Sequence, residues 1–362
     1  MNHITIIAGA RPNFMKVAPI IHEIKKRKAE GVNIDYSLVH TGQHYDKKMS
    51  GDFFEELNIP DPDANLSAGG GTQAEQTGAI MVRFEEYLMN NPTDLVLVVG
   101  DVTSTMACAI TAQKLHIKVA HVEAGIRSND WSMPEEINRL VTDSITNYFF
   151  TTSDVANENL KASGFGDDQI FFVGNCMIDT LLANKSRFIQ PKIWAQLGLR
   201  EKGYFMMTLH RPANVDEGAK LKELMDEILN NTHNMPLVFP VHPRTKKMLN
   251  DLGIDHERLH MIEPMSYLEF NYLVEKSFAV VTDSGGITEE TTVMGVPCLT
   301  LRDNTERPET VTVGTNELIG TNPKNIAPAL KRLFAGNWKK GGIPELWDGK
   351  SAQRIVAKLI EL

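Results

Sequence analysis

The feature that most constrains the fold is a repeating order of short apolar runs and amphipathic helical segments. Residues 94–99 have the composition of a buried strand, and so do residues 4–9. After residues 4–9, Val17, Ile20 and Ile24 recur at the spacing of one helix face. Short apolar strands that alternate with helices predict a parallel sheet covered on both faces. The pattern therefore predicts the α/β class.

The same alternation starts again near residues 170–173. Further strands are predicted at residues 204–209, 237–241, 278–282 and 297–301, and a final helix at residues 351–361. We expect two Rossmann-like doubly wound domains that face a cleft. The first spans residues 1–169 and the second residues 170–350.

Composition excludes several classes of protein. A chain of 362 residues is long enough for two domains, and its net charge of −9 argues against non-specific binding to nucleic acid. Cys108, Cys176 and Cys298 are isolated from one another, which favours reduced thiols over disulfides or a zinc site. The N-terminus begins directly with a strand-like run, and no apolar run reaches membrane-span length. We therefore expect a cytoplasmic protein without a signal peptide or a membrane partner.

Polar side chains follow the predicted strands at their carboxyl ends, where open parallel sheets bind ligands. The set comprises Arg11, Lys16, Gln43, His44, Asp101, Glu123, His210, Arg211, His242, Arg244, Ser284, Gly285 and Gly286. Taken singly, Arg11 and Lys16 match ordinary surface cations, and a lone His210 matches a structural histidine. Asp101 fits a helix cap as well as an active-site carboxylate. Two facing sheets would place the whole set around one cleft.

Residues 121–139 place several ionisable groups where a strand ends and a helix begins. Glu123 closes an apolar strand, where a carboxylate is costly unless it has a partner or a function. Glu135 has two interpretations. Ser132 followed by Glu135, with Pro134 between them, has the pattern of a capping box. The alternative is that Glu135 belongs to an active site.

Residues 282–290 predict a binding site for a nucleotide diphosphate. Ser284, Gly285 and Gly286 follow a strand and open a helix, so the backbone can approach a phosphate and the helix dipole favours the anion. Glu290, about two turns further on, can accept hydrogen bonds from a ribose diol. The competing interpretation is a tight turn whose glycines serve backbone geometry only. No Gly-Lys-Ser/Thr follows, so the loop is not a Walker loop, and no dinucleotide fingerprint follows the first strand. We expect no NAD and no metal ion as cofactor, because no transition-metal spacing is present.

Several long motifs, taken together and in order, resemble the non-hydrolysing UDP-N-acetylglucosamine 2-epimerases over essentially the whole chain. The matching segments are residues 9–12 (GARP), 100–101 (GD), 121–127 (HVEAGIR), 134–139 (PEEINR), 209–211 (LHR), 284–287 (SGGI) and 302–309 (RDNTERPE). The resemblance implies a GT-B-like fold in which the C-terminal helix, residues 351–362, packs back on the first domain. It also implies a homodimer.

The resemblance also implies roles for individual residues. It matches Asp101, Glu123, Glu135 and His210 to the family's catalytic positions. It matches a second set to the contacts with the UDP-sugar: Arg11, Lys16, Phe270, Ser284, Gly285, Gly286, Glu290 and Arg307. On this ground Glu135 is expected to be catalytic and not a helix cap.

The implied reaction is reversible epimerisation at C2 of a UDP-N-acetylhexosamine, UDP-GlcNAc to UDP-ManNAc. UDP is eliminated to give a 2-acetamidoglucal and then adds back with a proton delivered to the other face. Alternatives stay open: a 2-epimerase for UDP-2,3-diacetamido-2,3-dideoxy-glucuronic acid, whose family members have a similar segment at residues 133–139, or a GT-B-type glycosyltransferase.

Three departures from the family pattern bear on specificity. Pro212-Ala213-Asn214 stands where many relatives have Arg-Glu-Asn, and Met265 where some have glutamine. Residues 69–73 lack the Arg-Gln pair with which some bacterial members bind a second UDP-sugar. The last departure argues against activation by substrate, and the identity of the sugar stays open.

Overall fold

The computed structural model describes residues 2–42, 54–215, 217–241 and 243–362; the side chains of Asn2, Arg11, Pro212, Ala213, Pro243 and Arg244 are outside that description. The chain divides into two compact units, one of residues 1–183 and 345–362 and the other of residues 184–344. Within the described ranges, no helix is both long and apolar enough to cross a bilayer.

Within its described residues, the first unit contains seven strands and the helices between them. In chain order the elements are β1 (Asn2–Ala8), α1 (Arg11–Ala29), β2 (Ile34–His40), β3 (Ala64–Asn65), α2 (Gln73–Asn90), β4 (Leu95–Val99), α3 (Thr103–Lys114), β5 (Lys118–Val122), α4 (Pro134–Ser144), β6 (Tyr148–Thr151), α5 (Asp154–Ala162), β7 (Ile170–Phe172), α6 (Cys176–Asn184) and, from the C-terminus, α15 (Ser351–Glu361). The strands form one sheet in the order β3-β2-β1-β4-β5-β6-β7. All neighbours are parallel.

The central strand of this sheet shows why the pattern folds as it does. Every residue of β4, Leu-Val-Leu-Val-Val, is buried, as expected for a strand covered by helices on both faces. Chain order reverses between β1 and β4, and parallel sheets of this kind bind ligands at the carboxyl ends of the strands beside such a reversal. This edge of the sheet carries the polar residues singled out in the sequence.

The part of the second unit that the structure describes repeats the arrangement with six strands. Its elements are α7 (Lys192–Gln196), β8 (Phe205–Thr208), α8 (Pro212–Val215), α9 (Gly218–Asn231), β9 (Leu237–Pro240), α10 (Pro243–Asp251), β10 (Leu259–Ile262), α11 (Tyr267–Lys276), β11 (Ala279–Thr282), α12 (Gly285–Met294), β12 (Cys298–Thr300), α13 (Pro308–Thr312), β13 (Asn316–Leu318) and α14 (Ile326–Phe334), with short 3₁₀ turns at Lys185–Arg187 and Pro323–Asn325. The parallel order is β10-β9-β8-β11-β12-β13. Its chain reversal lies between β8 and β11.

The two compact units meet at other boundaries in the chain than the predicted domains, which were divided at residues 169/170 and 350/351. Strand β7 pairs with β6 of the first sheet, so the chain passes into the second unit only after residue 183. The C-terminal segment belongs to the first unit from Glu345 onward, which is earlier in the chain than the predicted residue 351. Trp347 is buried and donates from Nε1 to the Thr152 carbonyl at 3.1 Å. Asp179 then accepts from the N–H groups of Ser351 and Ala352 at the start of α15, which packs against α1.

Candidate active site

In the first unit, Asn13 joins the two loops on either side of the chain reversal. Its Oδ1 accepts from the N–H groups of Gly9 and Ala10, both at 3.0 Å, and its Nδ2 donates to the Val99 carbonyl at 3.1 Å. The loop after β1 is thereby tied to the end of β4. Arg11 begins α1, and its side chain is outside the described structure. Gln43, His44 and His242 also lie outside the described residues, and so does the Arg244 side chain.

Glu123 follows β5 and forms an ion pair with Lys16 of α1. Both side chains are largely buried, with 9% of Glu123 and 13% of Lys16 exposed. Glu123 has a φ of +75°, a conformation that non-glycine residues adopt at a cost of about 1–3 kcal/mol. The N–H of Glu123 is held by the Phe150 carbonyl of β6 at 2.9 Å. The sheet therefore fixes this carboxylate in a strained backbone position beside a cation.

Gly100 makes this arrangement possible. A Cβ at this position would lie 3.1 Å from Lys16 Nζ, 3.4 Å from Glu123 Oε2 and 3.6 Å from Asn13 Nδ2, and its φ is +66°. Only glycine combines that backbone conformation with so close an approach. The turn after β4 is thus shaped around the Lys16–Glu123 pair.

Asp101, the next residue, is held by Arg139 of α4. Asp101 Oδ2 accepts from Arg139 Nε at 3.0 Å and from Nη2 at 2.6 Å, and the Asp101 carbonyl accepts from Asn138 Nδ2 at 2.9 Å. About a third of the Asp101 side chain is exposed, while Arg139 is buried. Asp101 therefore has a fixed orientation and still reaches solvent.

Arg139 is in turn held by Glu136, which the sequence analysis did not single out as a site residue. Glu136 pairs with Arg139 Nη1 and accepts at 2.9 Å from both the N–H and the hydroxyl of Ser128, and at 3.0 Å from the Asn129 N–H. Burial acts to raise the pKa of Glu136, but these hydrogen bonds outweigh it and the pKa lies below its ordinary value. The residue is a buried anion that orients Arg139, and through it Asp101.

His121 and Asp143 form a second buried network beneath the same edge. His121 Nδ1 lies 2.8 Å from Asp143 Oδ1, and Nε2 lies 2.8 Å from the Gly100 carbonyl. The ring of His121 thereby connects Asp143 with the turn at Gly100. Asp143 Oδ2 also accepts from Arg127 Nη1 at 2.6 Å and from the Gly125 N–H at 3.1 Å. This network links the turn at Gly100 to the loop after Glu123.

The capping interpretation of Glu135 is wrong. Helix α4 begins at Pro134 with Met133 as its N-cap residue and has no side-chain cap. The Ser132 hydroxyl donates instead to Asp130 Oδ1 at 2.6 Å. Among the described residues, the Glu135 carboxylate has no hydrogen-bonding or ion-pair partner. It lies one turn before Arg139, on the same face of the helix.

In the second unit, Asp283 organises the equivalent edge. This fully buried carboxylate accepts from the N–H groups of His210 and Arg211 at 2.9–3.1 Å and from Asn214 Nδ2 at 3.1 Å. It thereby fixes the loop after β8 against the loop after β11, across the chain reversal. The His210 side chain is exposed at this loop.

Ser284, Gly285 and Gly286 lie where the sequence analysis expected them, at the start of α12 directly after β11. Ser284 is the N-cap residue, and its side chain makes no capping hydrogen bond. The first N–H groups of α12 have no intrahelical partner and favour an anion.

Three other predicted contacts lie around α12 and are engaged within the protein. Glu290 is buried and accepts from the Tyr267 hydroxyl at 2.9 Å and from Asn271 Nδ2 at 3.5 Å. Phe270, on the same helix as Tyr267, is partly buried against the core of the second unit. Arg307 is buried and pairs with Glu289.

Glu290 predicts a pH dependence of stability. Burial raises its pKa from 4.5 to about 7, although hydrogen bonds from Tyr267 and Asn271 act in the opposite direction. Because the folded-state pKa is the higher one, the stabilisation is complete below about pH 4.5 and is lost as pH rises through about 7. Over that range the free energy of unfolding should fall by roughly 3 kcal/mol more in the wild type than in Glu290→Gln. Urea denaturation of both proteins across the pH range measures this difference, and parallel pH profiles would contradict it.

The described residues contain no group of three or more histidine, cysteine, aspartate or glutamate side chains placed to hold a metal ion. Cys108, Cys176 and Cys298 are free and buried, and burial raises the pKa of all three thiols.

Comparison with known proteins identifies the family of this chain. The sequence model that describes the UDP-N-acetylglucosamine 2-epimerase family matches residues 25–360. The chain belongs to this family. The UDP-N-acetylglucosamine 2-epimerase of Methanocaldococcus jannaschii is 41% identical over 98% of this chain and 97% of its own length. The UDP-2,3-diacetamido-2,3-dideoxy-D-glucuronate 2-epimerase of Pseudomonas aeruginosa is 38% identical over 99% of each chain.

A solved structure supports the same conclusion about the fold. The crystal structure of the M. jannaschii UDP-GlcNAc 2-epimerase in complex with UDP-GlcNAc and UDP has a TM-score of 0.88 at 41% identity, and the match covers 99% of this chain and 100% of that one. The predicted family and the predicted α/β fold class are both confirmed. In this epimerase-family chain, the HVEAGIR motif supplies His121, Glu123 and Arg127 to the ion-pair and hydrogen-bond networks described above. The PEEINR motif supplies Glu136 and Arg139.

Proposed function

We propose that this chain interconverts UDP-GlcNAc and UDP-ManNAc by eliminating UDP and adding it back through a 2-acetamidoglucal. The observation that carries the proposal is the edge of the first sheet, where Glu123 and Asp101 are each oriented by a cation, in a chain of this family. The product would be an activated sugar for polysaccharide biosynthesis. The proposed enzyme is a cytoplasmic homodimer.

The chemistry explains why several carboxylates are needed. C2 of the sugar has no neighbouring carbonyl group, so its proton is not acidic enough for simple removal and return. Departure of UDP develops positive charge at C1, and this charge acidifies the C2 proton. One group then removes the proton from one face, and another returns a proton to the opposite face. Positioned acid–base groups typically contribute about 10²–10⁴-fold to such a rate.

Glu123, Asp101 and Glu135 supply these groups in the proposal. Ion pairing with Lys16 or Arg139 stabilises the ionised form of a carboxylate, which is the form that accepts a proton. Glu123 serves one face of C2, and Asp101 or Glu135 serves the other. Glu135 differs from the other two because it has no ion-pair partner among the described residues.

The departing diphosphate requires donors whose hydrogen bonds to it strengthen as its negative charge develops. In the proposal these are Arg11, His210 and the N–H groups at Ser284, Gly285 and Gly286. Each charge-assisted hydrogen bond contributes about 1.5–3 kcal/mol, so two or three of them would account for most of the barrier reduction. Phe270, Glu290, Lys16 and Arg307 complete the proposed contacts with the nucleotide sugar. The route uses proton transfer and phosphate stabilisation only and therefore requires neither a nicotinamide cofactor nor a metal ion.

A second substrate is supported by a specific observation, the 38% identity to the P. aeruginosa diacetamido-glucuronate 2-epimerase. Incubation of the full chain with each UDP-sugar, followed by proton NMR of the products, decides between them. We expect UDP-ManNAc from UDP-GlcNAc. Free ManNAc with UDP would indicate hydrolysis, and conversion of the diacetamido-uronate alone would assign the alternative substrate.

A further inference from the structure

A carboxylate of the protein occupies the start of α12, where the nucleotide diphosphate is expected. A Cβ at Gly285 would lie 2.8 Å from Glu306 Oε1 and 3.9 Å from Arg302 Nη1. Only 14% of the Glu306 side chain is exposed. A helix start attracts anions, and here the anion is supplied by the loop after β12.

Two guanidinium groups hold this carboxylate. Arg302 Nη2 lies 2.5 Å from Glu306 Oε2, and Arg211 Nη2 lies 3.8 Å from Glu306 Oε1. Arg211 is fixed by its Nε, which donates to the Asp283 carbonyl at 3.2 Å, and by its N–H, which donates to the Asp283 carboxylate at 2.9 Å. The Glu306 carboxylate therefore lies between two cations and a helix N-terminus, the surroundings that a phosphate group favours.

Arg302 has a donor that the protein does not satisfy. Its side chain is 4% exposed, and its Nε is buried without a hydrogen-bond partner among the described residues. A buried donor left unpaired costs free energy, so such a group points to a ligand that accepts from it. Diphosphate oxygens are suited to this, because arginine binds phosphate through two neighbouring N–H groups.

We infer that Glu306 is an internal anion that the nucleotide diphosphate displaces, and that Arg302 and Arg211 are diphosphate-binding residues which Glu306 neutralises before binding. The inference rests on the proposed function, since it assumes a nucleotide diphosphate at α12. It adds two cations to the proposed contacts and makes Glu306 a competitor of the ligand. The alternative role for Glu306 is a permanent brace that orients Arg302 toward the ligand.

Removal of the Glu306 charge distinguishes the two roles, because a competitor lowers the affinity for UDP and a brace raises it. UDP and uridine binding to the full chain are measured by calorimetry for the wild type, Glu306→Gln and Arg302→Gln. We expect Glu306→Gln to lower the Kd for UDP by about fivefold or more, because the repulsion between two unit charges a few ångströms apart is of this size even at the dielectric constant of water. Arg302→Gln should raise the Kd for UDP by about tenfold or more, because a charge-assisted hydrogen bond is lost. Neither change should alter the Kd for uridine.

A matched control is Glu317→Gln, which removes the carboxylate of another ion pair in the same unit, Arg332 Nη2–Glu317 Oε2, also at 2.5 Å. Its Kd for UDP should equal the wild-type value. Glu306→Asp keeps the charge but withdraws it by one methylene, so its Kd should fall between those of the wild type and Glu306→Gln. This variant also covers the case in which Glu306→Gln does not fold.

A raised or unchanged Kd for UDP in Glu306→Gln or Glu306→Asp overturns the inference, as does an equal change for uridine. The readout does not depend on epimerisation. Normal UDP binding with the expected shifts but without epimer product would overturn the proposed function alone. An active epimerase without the shifts would overturn the inference alone.

Discussion

Replacement of Glu123 by glutamine is expected to lower the turnover of UDP-GlcNAc by about 10²–10⁴-fold, the usual contribution of a positioned acid–base group. Glutamine has nearly the same shape but cannot exchange a proton with C2. It also leaves Lys16 beside a neutral amide in place of its ion-pair partner. The backbone strain at φ +75° is the same for both residues, so the variant should still fold. The rate is measured by NMR, and thermal unfolding reports the fold.

The control for this variant is Glu85→Gln, on the exposed surface of α2 in the same unit. It removes the same charge from an exposed position that is not among the proposed site residues, and it should leave turnover unchanged. If the Glu123→Gln enzyme turned over UDP-GlcNAc at nearly the wild-type rate, Glu123 would not be a proton-transfer group of the reaction. An equal loss in both variants would show that the effect is one of net charge.

Replacement of Asp143 by alanine is expected to lower the free energy of unfolding by about 3–5 kcal/mol, because it leaves the largely buried Arg127 guanidinium without its ion-pair partner. Asp143 is 1% exposed and is the shared partner of His121 and Arg127. Burial alone would raise its pKa, but the hydrogen bond from His121 and the charges of His121 and Arg127 hold it below the ordinary value. The stabilisation is therefore present above the unfolded-state pKa and is lost as pH falls.

Chemical denaturation at neutral pH measures this effect. Asp167→Ala is the control, since Asp167 pairs with Lys161 on the exposed surface of the same unit, and it should not change the free energy of unfolding measurably. Asp143→Asn keeps one acceptor and should fall between alanine and the wild type. An Asp143→Ala protein as stable as the wild type would show that the His121 network contributes nothing to the fold.

The fold was largely predictable because its strands carry their own signal. The five consecutive apolar residues of β4 and the amphipathic pattern of α15 fix the type and the bounds of each element. Pairing between strands has no such signal. The Ile-Phe-Phe run of β7 has the same composition whichever sheet it joins, so the sequence could place the strand but not the unit to which it belongs.

The positions of the candidate site residues at strand ends were predictable, but their contacts within the protein were less so. Ser132 and Glu135 match a capping box, yet Asp130 binds the Ser132 hydroxyl and Pro134 already begins the helix. Local spacing could not show this competition. Glu136 and Asp143 lie within an amphipathic helix pattern and look like ordinary polar positions. Their importance depends on partners from distant strands and loops, which only the folded chain brings together.

The central claim is that UDP leaves and returns while the hydrogen at C2 is exchanged. Proton NMR of UDP-GlcNAc incubated with the full chain in deuterium oxide tests this most directly. The proposal predicts equilibration with UDP-ManNAc and one deuterium at C2 of every molecule that has turned over. Epimerisation with the original hydrogen retained at C2 would contradict it.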